Sequence, residues 1–113
     1  MLFAVFKSIE APSKSLIWWE RFTTDLESKL REKGVTKVVV AGMMTHMCID
    51  ATVRAAVDLG FETTLIEDAC ATRELSYQGK VVPAEQVHYA FVGALDGMYA
   101  SIRSTEDFLQ QNN

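Results

Sequence analysis

The side chains best suited to chemistry gather in the run Gly42-Met-Met-Thr-His-Met-Cys-Ile-Asp50, and Cys48 is the strongest nucleophile among them. Just before it, Val38-Val-Val-Ala41 is apolar on both faces, as buried parallel strands are. Just after it, Ile49, Thr52, Val53 and Ala56 fall on one face of a helix. Cys48 is therefore expected where a strand turns into a helix. There the helix dipole and the first backbone N–H groups favour a thiolate. The same amides stabilise the oxyanion that forms when a carbonyl is attacked. A lone cysteine in apolar surroundings also serves as a small buried hydrophobe, so position alone leaves both roles open.

The neighbouring groups add less. His46 lies two residues before Cys48, and successive side chains of an extended turn point apart, so a Cys–His pair is not expected. His88 borders the apolar stripe of its helix, which suits a packed or surface role. His46, Cys48, Asp50 and His88 together do not follow a metal-ligand spacing, because H-x-C-x-D is not a zinc pattern. Gly42 lacks the companions of a G-x-G-x-x-G dinucleotide fingerprint, and no cofactor is implied. Asp68 and Cys70 follow an expected strand end and are placed at the same edge of the sheet.

These groups need a scaffold. Residues 2–6, Leu-Phe-Ala-Val-Phe, read as a buried strand, and Ala11-Pro-Ser-Lys-Ser15 interrupts regular structure. Residues 16–22, with Trp18 and Trp19, suit either a helical turn or a packed loop. Thr24 with Glu27 has capping-box spacing, Leu26 and Leu30 form a stripe, and Gly34 suits the position after a helix, which predicts a helix over 24–33. A strand follows over 35–41, then a turn over 42–47, then a helix ended by Gly60 with an Asp50, Arg54, Asp58 ladder at i, i+4. Residues 61–66 read as a second central strand and 73–82, holding Gly79, as a polar loop. Pro83 suits the first position of a helix whose stripe is Ala84, Val87, Phe91, Ala94, Leu95 and Met98. Residues 101–103 suit a short edge strand, and Thr105 suits the cap of a last turn carrying Phe108 and Leu109. Alternation of this kind predicts an α/β domain with a mainly parallel sheet and right-handed crossovers.

The chain has 113 residues, which fits one domain, and its 49% hydrophobic content is enough for a core. Its formal net charge is -4 and its basic residues are scattered, which argues against nucleic acid and against a membrane surface. The apolar runs are strand-length, far short of the roughly 20 residues of a membrane span. The first residues lack the basic region and cleavage site of a signal peptide. Two cysteines make no disulfide framework. A cytoplasmic location is expected.

The stretch from Gly42 to Gly60, with its G-x-x-T-x-x-C run followed by Thr52-Val-Arg-Ala-Ala56, closely resembles the cysteine motif of the isochorismatase-like hydrolases. The similarity continues through Glu67-Asp-Ala-Cys-Ala-Thr72 and Val82-Pro-Ala-Glu-Gln-Val-His88 and reaches about residue 109. The resemblance implies a three-layer α/β/α fold with a Rossmann-like sheet, here truncated relative to the family. It implies Cys48 as the nucleophile that forms a covalent intermediate with a small amide, imide or vinyl-ether substrate. It also implies a cis bond at Met44–Thr45 and an oxyanion hole from the amides of Thr45 and Cys48, and it suggests a homodimer or higher homo-oligomer. The family's triad is Asp, Lys and Cys. Its Asp follows the first strand, and neither Glu10 nor Glu20 stands after a strand in this chain. Lys7 has the strand-end setting and Lys14 nearly the right spacing, but a surface charge suits both. The family's metal-binding residues lie in the half of the fold that the resemblance does not cover. The alternative to an active hydrolase is a truncated, catalytically impaired relative that serves as an oligomeric ligand-binding or structural protein.

Overall fold

The structure, a computed structural model, describes residues 24–111. The expectations for residues 2–22, including Lys7, Glu10, Lys14, Trp18, Trp19 and Glu20, lie outside the described residues. Helix α1 (Thr24–Glu32) buries Leu26 and Leu30, the i, i+4 pair that faces the core. Gly34 ends it at φ 69°, where the Val35 amide donates to the Leu30 carbonyl and the Gly34 amide to that of Arg31. This pair of bonds satisfies the orphan carbonyls of the last turn and needs a left-handed residue between them. The same device recurs at Gly60, φ 90°, after α2 (Asp50–Asp58), with Phe61 and Gly60 amides donating to Ala56 and Val57. Each turn delivers the chain directly into a parallel strand.

Those strands are β1 (Lys37–Met43) and β2 (Glu62–Ala71), and with β5 (Ser101–Arg103) they form a parallel sheet in the order β1-β2-β5. Val38, Val40 and Leu65 join Leu26, Leu30, Ile49, Val53, Ala56, Phe61, Val92 and Leu95 in one core. Val39 and Ile66, of opposite parity along their strands, are buried as well. Both faces of the sheet are thus withdrawn from water, as the unbroken apolar runs require. An α/β architecture with a mainly parallel sheet is what the alternating pattern predicted. Among the described residues no helix is long and apolar enough to cross a membrane.

Four expectations change. Strand β2 runs to Ala71 rather than ending at Ile66, because the β1–β2 register shifts between Val40 and Gly42 and then resumes with Gly42 opposite Cys70 and Met43 opposite Ala71. Irregularity inside a strand leaves no mark on hydrophobic periodicity. The segment 73–82 is not a loop: β3 (Leu75–Tyr77) and β4 (Lys80–Val82) pair as an antiparallel hairpin. Gln78 at φ 49° and Gly79 at φ 76° make its two-residue turn, and Gln-Gly is a weaker cue for that turn than Asn-Gly. Helix α3 (Ala84–Leu95) starts one residue after Pro83 and stops before Met98. Asp96 turns extended and Gly97 takes φ 74°, so Met98 leaves the stripe and is 81% exposed. Finally, Ser104 rather than Thr105 caps α4 (Thr105–Gln111): its Oγ accepts the Asp107 amide at 3.1 Å. Thr105 instead donates both its amide and its hydroxyl to Asp68, each at 2.8 Å.

Candidate active site

At the carboxyl end of β1 the chain reverses through a cis peptide bond between Met43 and Met44 and enters a π-helical turn, Thr45–Ile49, that continues into α2. The cis bond thus lies one residue before the expected Met44–Thr45 position. Met44 is still extended, at φ -99° and ψ 147°, and winding starts at Thr45, so the reversal is completed before Thr45. The Met44 carbonyl accepts the amides of Met47 (3.0 Å) and Ile49 (3.3 Å), and the Asp50 amide reaches back to Thr45 and Met47. Bonds to the fifth preceding residue widen this first turn, a variation of helix geometry often found at functional sites.

The widened turn is anchored from within. Thr45 and Ile49 are fully buried, whereas Met47 is half exposed on the outer side. Between them Cys48 is half-buried, a free thiol packed against the rim of the core. It stands beyond the carboxyl end of a parallel strand, where open α/β sheets place their ligands.

Neighbouring elements brace the turn with three side-chain contacts. The Thr45 hydroxyl lies 2.9 Å from His88 Nδ1, on α3, and 3.4 Å from the Ala71 carbonyl at the end of β2. The other ring nitrogen of His88, Nε2, faces Glu67 of β2 at 3.7 Å. His46 Nδ1 meets the Thr72 hydroxyl at 2.6 Å, with its ring edge-on to Phe91 at 6.0 Å. His46 is therefore engaged by Thr72 rather than by Cys48. His88, expected to be packed or at the surface, is held at both nitrogens with only 17% of its side chain exposed. Sequence reasoning did not single out Glu67 or Thr72 as partners of these histidines. The only available signal was their membership in the Glu67-Asp-Ala-Cys-Ala-Thr72 run, since the β2 irregularity that carries them beside the turn is silent in the sequence.

Cys70 differs sharply from Cys48. Its thiol donates to the Ile66 carbonyl at 3.3 Å inside β2. Burial, with the carboxylates of Glu67 and Asp68 adding to it, pushes its pKa up to about 11, against a smaller opposing pull from a hydrogen bond with the Gly42 backbone. Farther along α2, Arg54 pairs with Asp50 at 3.1 Å and stacks over Tyr99 at 4.7 Å, which fixes the first turns of the helix behind the nucleophile. Hydrogen bonding to Asp50 raises the Arg54 pKa above its already high ordinary value. Among the described residues no group of three or more His, Cys, Asp or Glu side chains is arranged to hold a metal ion.

The chain has counterparts among known proteins: the isochorismatase domain model matches residues 18–107. The chain belongs to the isochorismatase family. The Bacillus subtilis isochorismatase family protein YddQ is 58% identical over 89 residues, which are 79% of this chain and 49% of that protein. The crystal structure of an isochorismatase-type hydrolase from Oleispira antarctica superposes with a TM-score of 0.74 at 47% identity, covering 79% of this chain and 48% of that one. Streptothricin hydrolase of Streptomyces noursei is 40% identical over 52 residues, 46% of this chain and 19% of that protein. The isochorismatase-family chain described here thus spans about half the length of the first two of these relatives.

Proposed function

We propose that this chain carries the nucleophilic centre of a cysteine hydrolase acting on a small amide, imide or vinyl-ether substrate. The observation that carries the reading is the placement of Cys48: half-buried, in a widened first turn, beyond the carboxyl end of β1. In an amide substrate the Cys48 thiolate attacks the carbonyl carbon, and the carbonyl π electrons move to oxygen. The backbone amides of Thr45 and Cys48 receive that oxyanion, the same role that preorganised amides play in other acyl-transfer sites. Collapse expels the amine, which takes up a proton, and leaves a thioester on Cys48. Water then attacks the thioester, releasing the acid and restoring the thiol. Streptothricin hydrolase, a relative over 52 residues, supports hydrolysis as the reaction type.

The family triad's Asp follows a first strand, a setting that neither Glu10 nor Glu20 has, and Lys7, Lys14 or neither serves as its Lys. General acid–base help is worth on the order of 10²–10⁴-fold, so Cys48 without that Asp and Lys acylates but turns over slowly. A second reading follows from the surface of the hairpin and α3, where Tyr77, Val81 and Tyr89 are each more than half exposed. In that reading the chain self-associates as a ligand-binding relative with little turnover. The deciding experiment measures amide and imide hydrolysis by the wild type and by Cys48→Ala. Loss of all hydrolysis in the variant supports the nucleophile. Hydrolysis that persists in Cys48→Ala overturns it, and a wild type that binds substrate without product formation favours the second reading.

A further inference from the structure

The row Thr45, His88 and Glu67 joins a hydroxyl, an imidazole and a carboxylate, the side-chain types of a hydrolytic triad. Thr45 is fully buried, so no substrate reaches its oxygen and it is not a nucleophile. The hydroxyl lies 2.9 Å from His88 Nδ1 and 3.4 Å from the Ala71 carbonyl, so it bridges α3 and the end of β2. The other ring nitrogen, Nε2, faces the Glu67 carboxylate at 3.7 Å. Glu67 orients the imidazole, and the imidazole holds the threonine. Thr45 opens the turn that carries Cys48, so this hydroxyl is one point where α3 and the end of β2 grip the turn.

Resting on Cys48 as the nucleophile, we infer that His88 is a positioning residue: through the Thr45 hydroxyl it fixes the π-helical turn so that the Cys48 thiol and the amides of Thr45 and Cys48 address the same carbonyl. Glu67 supports it by holding the ring. A displacement of that turn by an ångström costs on the order of a hundredfold in a step that needs both thiol and amides aligned, and far less in a reaction that needs the thiol alone.

Two reagents separate these demands. Acylation of the full chain by p-nitrophenyl acetate, followed as release of p-nitrophenolate, uses the amides to hold an oxyanion. Alkylation by iodoacetamide, followed at the Cys48 peptide by mass spectrometry, forms an S–C bond with loss of iodide and uses no oxyanion site. His88→Gln and Thr45→Val are expected to slow acylation on the order of tenfold while alkylation changes less than about twofold. His88→Asn, whose side-chain amide reaches toward the place of Nδ1 and can accept or donate there, is expected to recover most of the acylation rate, whereas the longer His88→Gln is not. The double variant Thr45→Val/His88→Gln is expected to be no slower than Thr45→Val, because both act through one bond. Acylation at the wild-type rate in His88→Gln, an equal fall of acylation and alkylation, or equal rates for the Asn and Gln variants each overturn the inference. Wild-type acylation that survives Cys48→Ala overturns the nucleophile itself and this inference with it. Glu67→Gln, which leaves Thr45 and His88 in place, supplies a folded test if the other variants unfold: unchanged acylation there removes the role of the row.

Discussion

The two cysteines of the described chain stand at neighbouring strand ends, yet the fold treats their thiols in opposite ways. Cys70 lies within β2, opposite Gly42, its hydrogen donated to Ile66 and its thiolate opposed by burial and by the carboxylates of Glu67 and Asp68. Cys48 lies just past β1, in a turn whose backbone groups are organised around it rather than against it. A strand spends most of its amides in the ladder, and the one backbone hydrogen bond from Gly42 to Cys70 does not offset burial. A helix opening leaves amides over, and these are what an attacking thiolate and a nascent oxyanion need. The lesson is that secondary-structure position works together with desolvation: both residues are half-buried, but only Cys48 stands at a helix opening.

The largest expected difference between them is in catalysis. Cys48→Ala should abolish hydrolysis, whereas Cys70→Ala should leave kcat/KM within about threefold of wild type, since truncating a half-buried thiol removes little packing. Steady-state assays of both variants on one amide substrate decide it, and equal losses would erase the contrast. The next effect is in labelling. With its pKa at about 11, Cys70 is a thiolate in only about one molecule in ten thousand at pH 7, roughly a hundredfold less than a thiol titrating at 9.0. Brief exposure to iodoacetamide at pH 7 should therefore modify Cys48 well ahead of Cys70. Faster labelling of Cys70 in native protein would refute its described environment.

Much of this contrast was legible in the sequence, and the limits are instructive. The strand-then-helix setting of Cys48 follows from Val38-Val-Val40 and from the Ile49, Thr52, Val53, Ala56 face, because burial on two sides and a 3.6-residue period are properties of short windows. The helix ends at Gly34 and Gly60 were legible for the same reason: a left-handed residue is needed at one defined place. What was not legible depends on pairing between distant segments. The shifted register that sets Cys70 opposite Gly42, and brings Ala71 and Thr72 beside the turn, arises between β1 and β2 and has no signature within either. The engagement of His88 by Thr45 spans 43 residues and depends on how α3 docks. Periodicity gave His88 as a residue bordering the apolar stripe, and only docking revealed that the border faces the nucleophile's turn.

A smaller effect appears in stability at high pH. The folded state holds the Cys70 proton up to about pH 11, whereas an unfolded thiol releases it near 9.0. Between these values the native state binds more protons than the unfolded one, so stability falls as pH rises. The stabilisation is fully present below pH 9 and lost as pH passes 11. Chemical denaturation at pH 8 and pH 10.5 should show a decline that is shallower in Cys70→Ala than in wild type. Equal slopes in wild type and Cys70→Ala would mean that the raised pKa does not couple to folding.

The smallest effect isolates one carboxylate. Asp68 is exposed, and its charge is the weakest of the influences that raise the Cys70 pKa, behind burial and Glu67. Removing that charge with Asp68→Asn should speed Cys70 alkylation by no more than about twofold to threefold, since exposed charges act through a high effective dielectric. Raising the salt to 1 M, where the Debye length is about 3 Å, should give wild type a similar modest gain and the variant almost none. Asp68 also accepts the amide and hydroxyl of Thr105 at the start of α4. Both bonds go to Oδ1, an oxygen that Asn retains, so the thermal cost should stay below the roughly 1 kcal/mol typical of a lost cap. A tenfold gain in Cys70 labelling would show instead that the variant opens β2, and the environment of Cys70 would then rest on the Asp68–Thr105 tie rather than on burial.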